Sequence, residues 1–109
     1  MNVYNKLVRD LIPQIIEESG SKFDTHIADN DEYKKLLEEK LQEEVNEYLE
    51  DKNLEELADV LEVLVALAGS FGYTEVELFE KRSEKKLERG GFDESVVLER
   101  TWEEGLPNE

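Results

Sequence analysis

Residues 43–59 read EEVNEYLEDKNLEELAD. The stretch closes one helical pattern and opens another, with DKN (51–53) as a tight turn between them. A helix advances about 100° per residue. On that wheel the second helix of the chain, about residues 32–51, carries an inner stripe of Tyr33, Leu36, Leu37, Leu41, Val45 and Tyr48. Glu44 falls inside the stripe and Glu47 at its margin, while Glu39, Glu43 and Glu50 project away. On the third helix, about Leu54 to Phe71, Glu56 projects among Val60, Val63 and Leu67, with Asp59 at the border.

Folding the two helices back on each other about the turn places the midpoint between Asp51 and Lys52. Glu47 and Glu56 are then equidistant from it, and so are Glu44 and Asp59. Each helix contributes an i, i+3 pair on one face. Four carboxylates in a partly dry interface repel one another, so either protons or a cation must hold them. Oxygen-only ligands suit Mg²⁺, with Mn²⁺ as the alternative ion, better than zinc or copper. The bland alternative is a surface hairpin whose acids merely flank its core, although an inward-facing Glu without a partner is rare. A ferritin-like di-iron site needs Glu-x-x-His motifs, and the single His26 lies outside both helices. DTHIADNDE (24–32) lacks the central Gly of an EF-hand loop. His26 is read as an exposed or strand residue rather than a ligand.

Outward from the hairpin, LIPQIIEESG (11–20) predicts a short first helix. Asp10 is its N-cap, Pro13 lies in its first turn and Gly20 follows its end. Asn30 or Asp31 caps the second helix. Thr74 with Glu77 forms a capping box that opens a fourth helix, which ends near RGG (89–91). SVVLERTW (95–102) reads as a short strand that pairs with FDTHIA (23–28), and about 102–109 as a tail. The third helix is apolar over most of its circumference, which requires burial on nearly all sides. Three neighbouring helices from one small chain would struggle to cover it, so a homo-oligomer is expected. The fold expected is mainly α: a single domain over 1–109, a helical bundle around a central antiparallel hairpin, a short peripheral strand pair, and completion by oligomerisation.

The bulk composition narrows the function. The chain has 109 residues, no cysteine and a formal net charge of -16. Disulfides and thiolate metal sites are excluded. Bare nucleic acid is an unexpected partner without a basic surface. Asp59 and Glu62 interrupt the best apolar run, so no membrane span is expected. MNVYNKLVRD (1–10) has no signal-peptide core, and a cytoplasmic location is the default. Of 13 Lys and Arg, five lie in KRSEKKLERGGF (81–92). Arg82, Lys85, Lys86 and Arg89 recur along one helical face before a Gly pair. A phosphate clamp and simple pairing with the helix dipole and nearby Glu77, Glu84 and Glu88 both explain them. Lys6 and Arg9 in NKLVRD (5–10) pose the same choice between phosphate contact and ion pairing.

Taken together, these residues resemble the MazG-like, all-α nucleoside triphosphate pyrophosphohydrolases. That family carries Glu-x-x-Glu on one helix and Glu-x-x-Asp on the next, here EVNE (Glu44, Glu47) and ELAD (Glu56, Asp59). YNKLVRDLIPQII (4–16) and KKLERGGF (85–92) are similar to its small single-domain, predicted house-cleaning branch. The resemblance covers about residues 4–100. It implies Mg²⁺-dependent cleavage of a nucleotide, a non-canonical nucleoside triphosphate in this branch, between its α and β phosphates. Glu44, Glu47, Glu56 and Asp59 would serve as metal-holding catalytic residues. Lys85, Arg89, Lys6 and Arg9 would meet the phosphates. A homodimer or homotetramer is implied as well. Tyr48 and Phe92 are read as core or interface aromatics before base-stacking ones. Only eight residues separate Glu47 from Glu56, a shorter connection than many relatives have, and this leaves the base pocket open. Phosphoribosyl-ATP pyrophosphohydrolase, from the same superfamily, and a non-catalytic helical interaction module are the competing readings.

Overall fold

The computed structural model describes residues 1–105 as four helices: α1 (Ile12–Glu18), α2 (Asn30–Asp51), α3 (Leu54–Ser70) and α4 (Glu75–Arg89). The α2–α3 hairpin is the principal packed unit. The connection is only Lys52 and Asn53, and both have a local reason. Lys52 takes a left-handed conformation, φ +50°, and its N–H donates to the Tyr48 carbonyl to close α2. Asn53 caps α3, its side-chain oxygen accepting from the Glu56 N–H at 2.9 Å. That one hydrogen bond fixes the first turn of α3 and with it the backbone that presents Glu56. Asn53→Ala is expected to cost about 1 kcal/mol, measured by urea unfolding.

At its other end α2 is capped by Asp29, whose carboxylate accepts from the Glu32 N–H at 2.9 Å. The cap expected at Asn30 or Asp31 lies one or two residues earlier, because Asp29 is the last residue with extended backbone. Leu11, not Asp10, stands at the α1 N-cap, without a side-chain hydrogen bond, and Pro13 sits in the first turn as expected. The α4 capping box is present in full: the Thr74 hydroxyl accepts from the Glu77 N–H and the Glu77 carboxylate accepts from the Thr74 N–H. Gly72 (φ +90°) turns the chain between α3 and α4, and Gly90 (φ +85°) ends α4 where RGG predicts it. Between α3 and α4 the chain bends by 109°.

The peripheral strand pair does not form. Residues 21–29 and 96–103 are irregular, and no strand occurs among the described residues. Val96 and Val97 favour extended backbone but remain more than four-fifths exposed, and a lone two-stranded ribbon with no apolar surface beneath it is marginal in water. Of the tail expected over about 102–109, residues 106–109 lie outside the described residues. No single helix is long and apolar enough to cross a membrane.

Among the described residues, Leu37 on α2 and Val63 on α3 are the buried hydrophobic residues. Leu54, Leu57, Leu61 and Leu64 recur at three- and four-residue intervals along α3 and are all exposed, a seam of coiled-coil spacing. The chain extends 70 × 31 × 24 Å, with a radius of gyration of 20.1 Å, where a compact chain of this length has about 13 Å. Its accessible surface is 10158 Å², against roughly 6,200 Å² for a compact monomer of this mass.

Candidate functional site

The hairpin brings together most of the acids that its register selects. One carboxylate oxygen each from Glu44 on α2 and from Glu56 and Asp59 on α3 lie within 4.8 Å of one another. Among the described residues Glu44 is the buried charged one, 7% exposed, and Glu56 and Asp59 are half-buried. Glu47 stays exposed on the rim, close enough to perturb the carboxyls of both Glu44 and Glu56.

Three cations border these acids. Lys40, one turn before Glu44 on α2, reaches Glu44 Oε1 at 3.3 Å and Glu43 Oε2 at 3.4 Å. Lys6 donates to Glu43 Oε1 at 2.8 Å, and Arg9 to Asp59 Oδ1 at 2.7 Å. Glu43 therefore does not simply project away, since two lysines hold it. Five carboxylates (Glu43, Glu44, Glu47, Glu56, Asp59) thus stand against three cations, leaving a deficit of two positive charges. Glu44 Oε2 and Glu56 Oε2 are buried and accept no hydrogen bond.

An anionic oxygen without a partner in a dry place is costly, and the ionisation equilibria reflect it. Burial pushes Glu44 above the usual carboxylate range, against the pull of Lys40. Desolvation, then the charges of Asp59, Asp51 and Glu44, push Glu56 upward as well. Glu43 moves down, held by the hydrogen bond from Lys6, and that bond raises Lys6 in turn. A cluster with two orphaned oxygens, a deficit of two charges and only oxygen donors can hold a divalent metal ion. Cation–oxygen distances of about 2.0–2.6 Å span ligand pairs up to roughly 4–5 Å apart, which the cluster meets.

These shifts predict how the metal-free protein responds to acid. A carboxyl with a raised folded pKa burdens the fold while it is charged, and the burden lifts as pH falls through that pKa. Glu43, with its pKa lowered, acts in the opposite sense, and its contribution is lost below the unfolded value of 4.5. In chelator, the melting temperature is expected to climb as pH falls through the raised pKa values of Glu44 and Glu56, then to drop below the ordinary carboxylate value as Glu43 protonates. The climb should be smaller in Glu56→Gln than in the parent. Calorimetry across that pH range checks it.

The basic face of α4 is not part of this cluster. Lys85 and Arg89 are exposed, and α4 packs against α3 alone. From Asp59 to the end of α3 is already about 16 Å, after which α4 turns away. Lys81 pairs with Glu84 at 2.8 Å, while Arg82, Lys85, Lys86 and Arg89 make no ion pair among the described residues. His26 is exposed and meets the Glu32 carboxylate at 3.0 Å, outside the cluster. Phe92 is fully exposed, and Tyr48 is half-buried beside Lys52.

Lys40 is the participant that periodicity overlooks. Its only sequence signal is the i, i+4 spacing to Glu44, which every solvated helix offers many times. Comparison with family models, with curated proteins and with solved structures finds no match.

Proposed function

We propose that the protein is a nucleotide pyrophosphohydrolase of the MazG-like kind. It would use Mg²⁺, or Mn²⁺ in its place, to split a non-canonical nucleoside triphosphate into the monophosphate and pyrophosphate. The observation that carries this reading is the Glu44–Glu56–Asp59 cluster, with Glu44 buried and two unpartnered oxygens. Bound there, the ion supplies a Lewis acid for phosphoryl oxygens and an activated water. Glu44, Glu56 and Asp59 hold it, and Glu47 completes the set from the rim. Glu43, held as an anion by two lysines, stays outside the catalytic set. A cytoplasmic setting suits a nucleotide substrate.

The phosphates need positive charge, and the arm residues Lys6 and Arg9 already stand beside the acids. Lys85 and Arg89 are proposed to serve the leaving pyrophosphate from a neighbouring copy, since α4 does not approach α2 within one chain. Lys85→Ala and Arg89→Ala should each lower turnover about ten- to a hundredfold, the worth of one charge-assisted hydrogen bond, with the melting curve unchanged. Equal kinetics in both variants would assign these residues to the helix dipole instead. A neighbouring copy would also cover part of the excess of about 4,000 Å² of surface over a compact monomer, since obligate interfaces bury about 2,000–5,000 Å² summed over both partners. A homodimer or homotetramer is the proposed state.

The reading is tested by a panel of canonical and damaged nucleoside triphosphates, with phosphoribosyl-ATP beside them, in Mg²⁺, read as pyrophosphate release. Turnover of at least one triphosphate, lost in Glu44→Gln, is expected. Turnover of phosphoribosyl-ATP alone would transfer the protein to that rival activity. No turnover of any substrate, with no stabilisation by metal, would leave a helical interaction module.

A further inference from the structure

The three cations around the acid cluster are anchored differently. Lys40 belongs to α2 and cannot leave. Lys6 and Arg9 come from residues 1–11, which are irregular, and the short α1 beyond them packs on no other helix. Tyr4 and Leu11 on either side are about two-thirds exposed. The hydrogen bonds that fasten this arm to the hairpin are Lys6 to Glu43 and Arg9 to Asp59, across 37 and 50 residues. Both pairs reach water through their cations, Lys6 at 42% and Arg9 at 55% side-chain exposure, while Glu43 and Asp59 are 30% and 36% exposed. An exposed pair of this kind shifts an equilibrium by about fivefold at most. A divalent cation held by several carboxylates competes with it easily.

Resting on the proposed metal site, we infer that Arg9 is the resident counter-cation of Asp59 in the metal-free protein and yields that carboxylate when a divalent ion enters. The N-terminal arm is then a strap whose grip depends on the state of the site. The released guanidinium stays beside the cluster, where its planar fork suits a phosphate as well as it suited a carboxylate. Lys6 keeps Glu43, which lies outside the three-carboxylate cluster, so the arm is loosened at one end and not shed.

Two measurements without nucleotide decide it. In calorimetric titration with Mn²⁺ alone, Arg9→Gln should bind about two- to fivefold tighter than the parent, because the competitor is gone. Arg9→Lys, which keeps a cation, should stay near the parent value, and Glu56→Gln should lose binding. In the parent, trypsin should cut after Arg9 faster with Mn²⁺ present, while the remainder of the chain becomes more resistant. An Arg9→Gln affinity equal to or weaker than the parent's, or cleavage after Arg9 slowed together with the rest, would overturn the strap while the metal site stands. A parent that takes up no Mn²⁺ would remove both.

Discussion

Glu56→Gln and Asp59→Asn are each expected to abolish metal-dependent pyrophosphate release while leaving the metal-free fold as stable as the parent or more so. Both substitutions keep shape and remove one anion from a cluster that carries more anions than cations. For Glu56 the lost charge sits on a desolvated carboxyl with an orphaned oxygen, so its removal relieves the fold. Asp59 also loses its pair with Arg9, a smaller matter for an exposed contact. The parent should gain strongly from Mg²⁺: at a hundred times the dissociation constant, about 2.7 kcal/mol of stabilisation by mass action. For a domain of this size that is roughly 10 °C or more in melting temperature. Scanning calorimetry of the two variants should show little of that gain. Retained turnover in both variants would reduce the four-carboxylate register to a structural coincidence.

The second large effect concerns the seam on α3. Leu61→Asp is expected to dissociate the proposed assembly and unfold the chain, because Leu37 and Val63 are the only buried hydrophobic side chains among the described residues. Leu61 would be buried only in the proposed interface, where loss of a buried leucine costs about 2–5 kcal/mol before any penalty for the new charge, a large share of a marginal domain's total. Light scattering of the parent at micromolar concentration should show a dimer or tetramer. Circular dichroism of Leu61→Asp should show lost helix. A parent monomer with full helix content would require another cover for Leu54, Leu57, Leu61 and Leu64.

Local chemistry made the helices legible. The Thr74–Glu77 box, the DKN turn and the RGG stop each act within a few residues, and each stands where expected. The cap of α2 was ambiguous by a residue or two because DND (29–31) offers three competent side chains in a row. Asp10 missed the α1 N-cap for a similar reason: the chain is still turning at Leu11. The acid register was legible because a two-residue connection leaves two helices few ways to fold back, so equal distance from the turn becomes proximity in space. What could not be read lies at long sequence separation. Nothing near Lys6 or Arg9 announces Glu43 or Asp59, the carboxylates with which they pair across the fold. The strand pair failed because β-propensity in SVVLERTW reports tolerance of extended backbone, while a ladder also needs an edge and an apolar surface.

The most direct measurement is the location of Mn²⁺ by its anomalous scattering in crystals of the parent protein grown with the ion. The account predicts an anomalous peak between Glu44, Glu56 and Asp59, within about 2.0–2.6 Å of oxygens from both helices, with the Arg9 guanidinium withdrawn from Asp59. A map with no peak at the hairpin, or with Mn²⁺ only on exposed acids elsewhere, would contradict it.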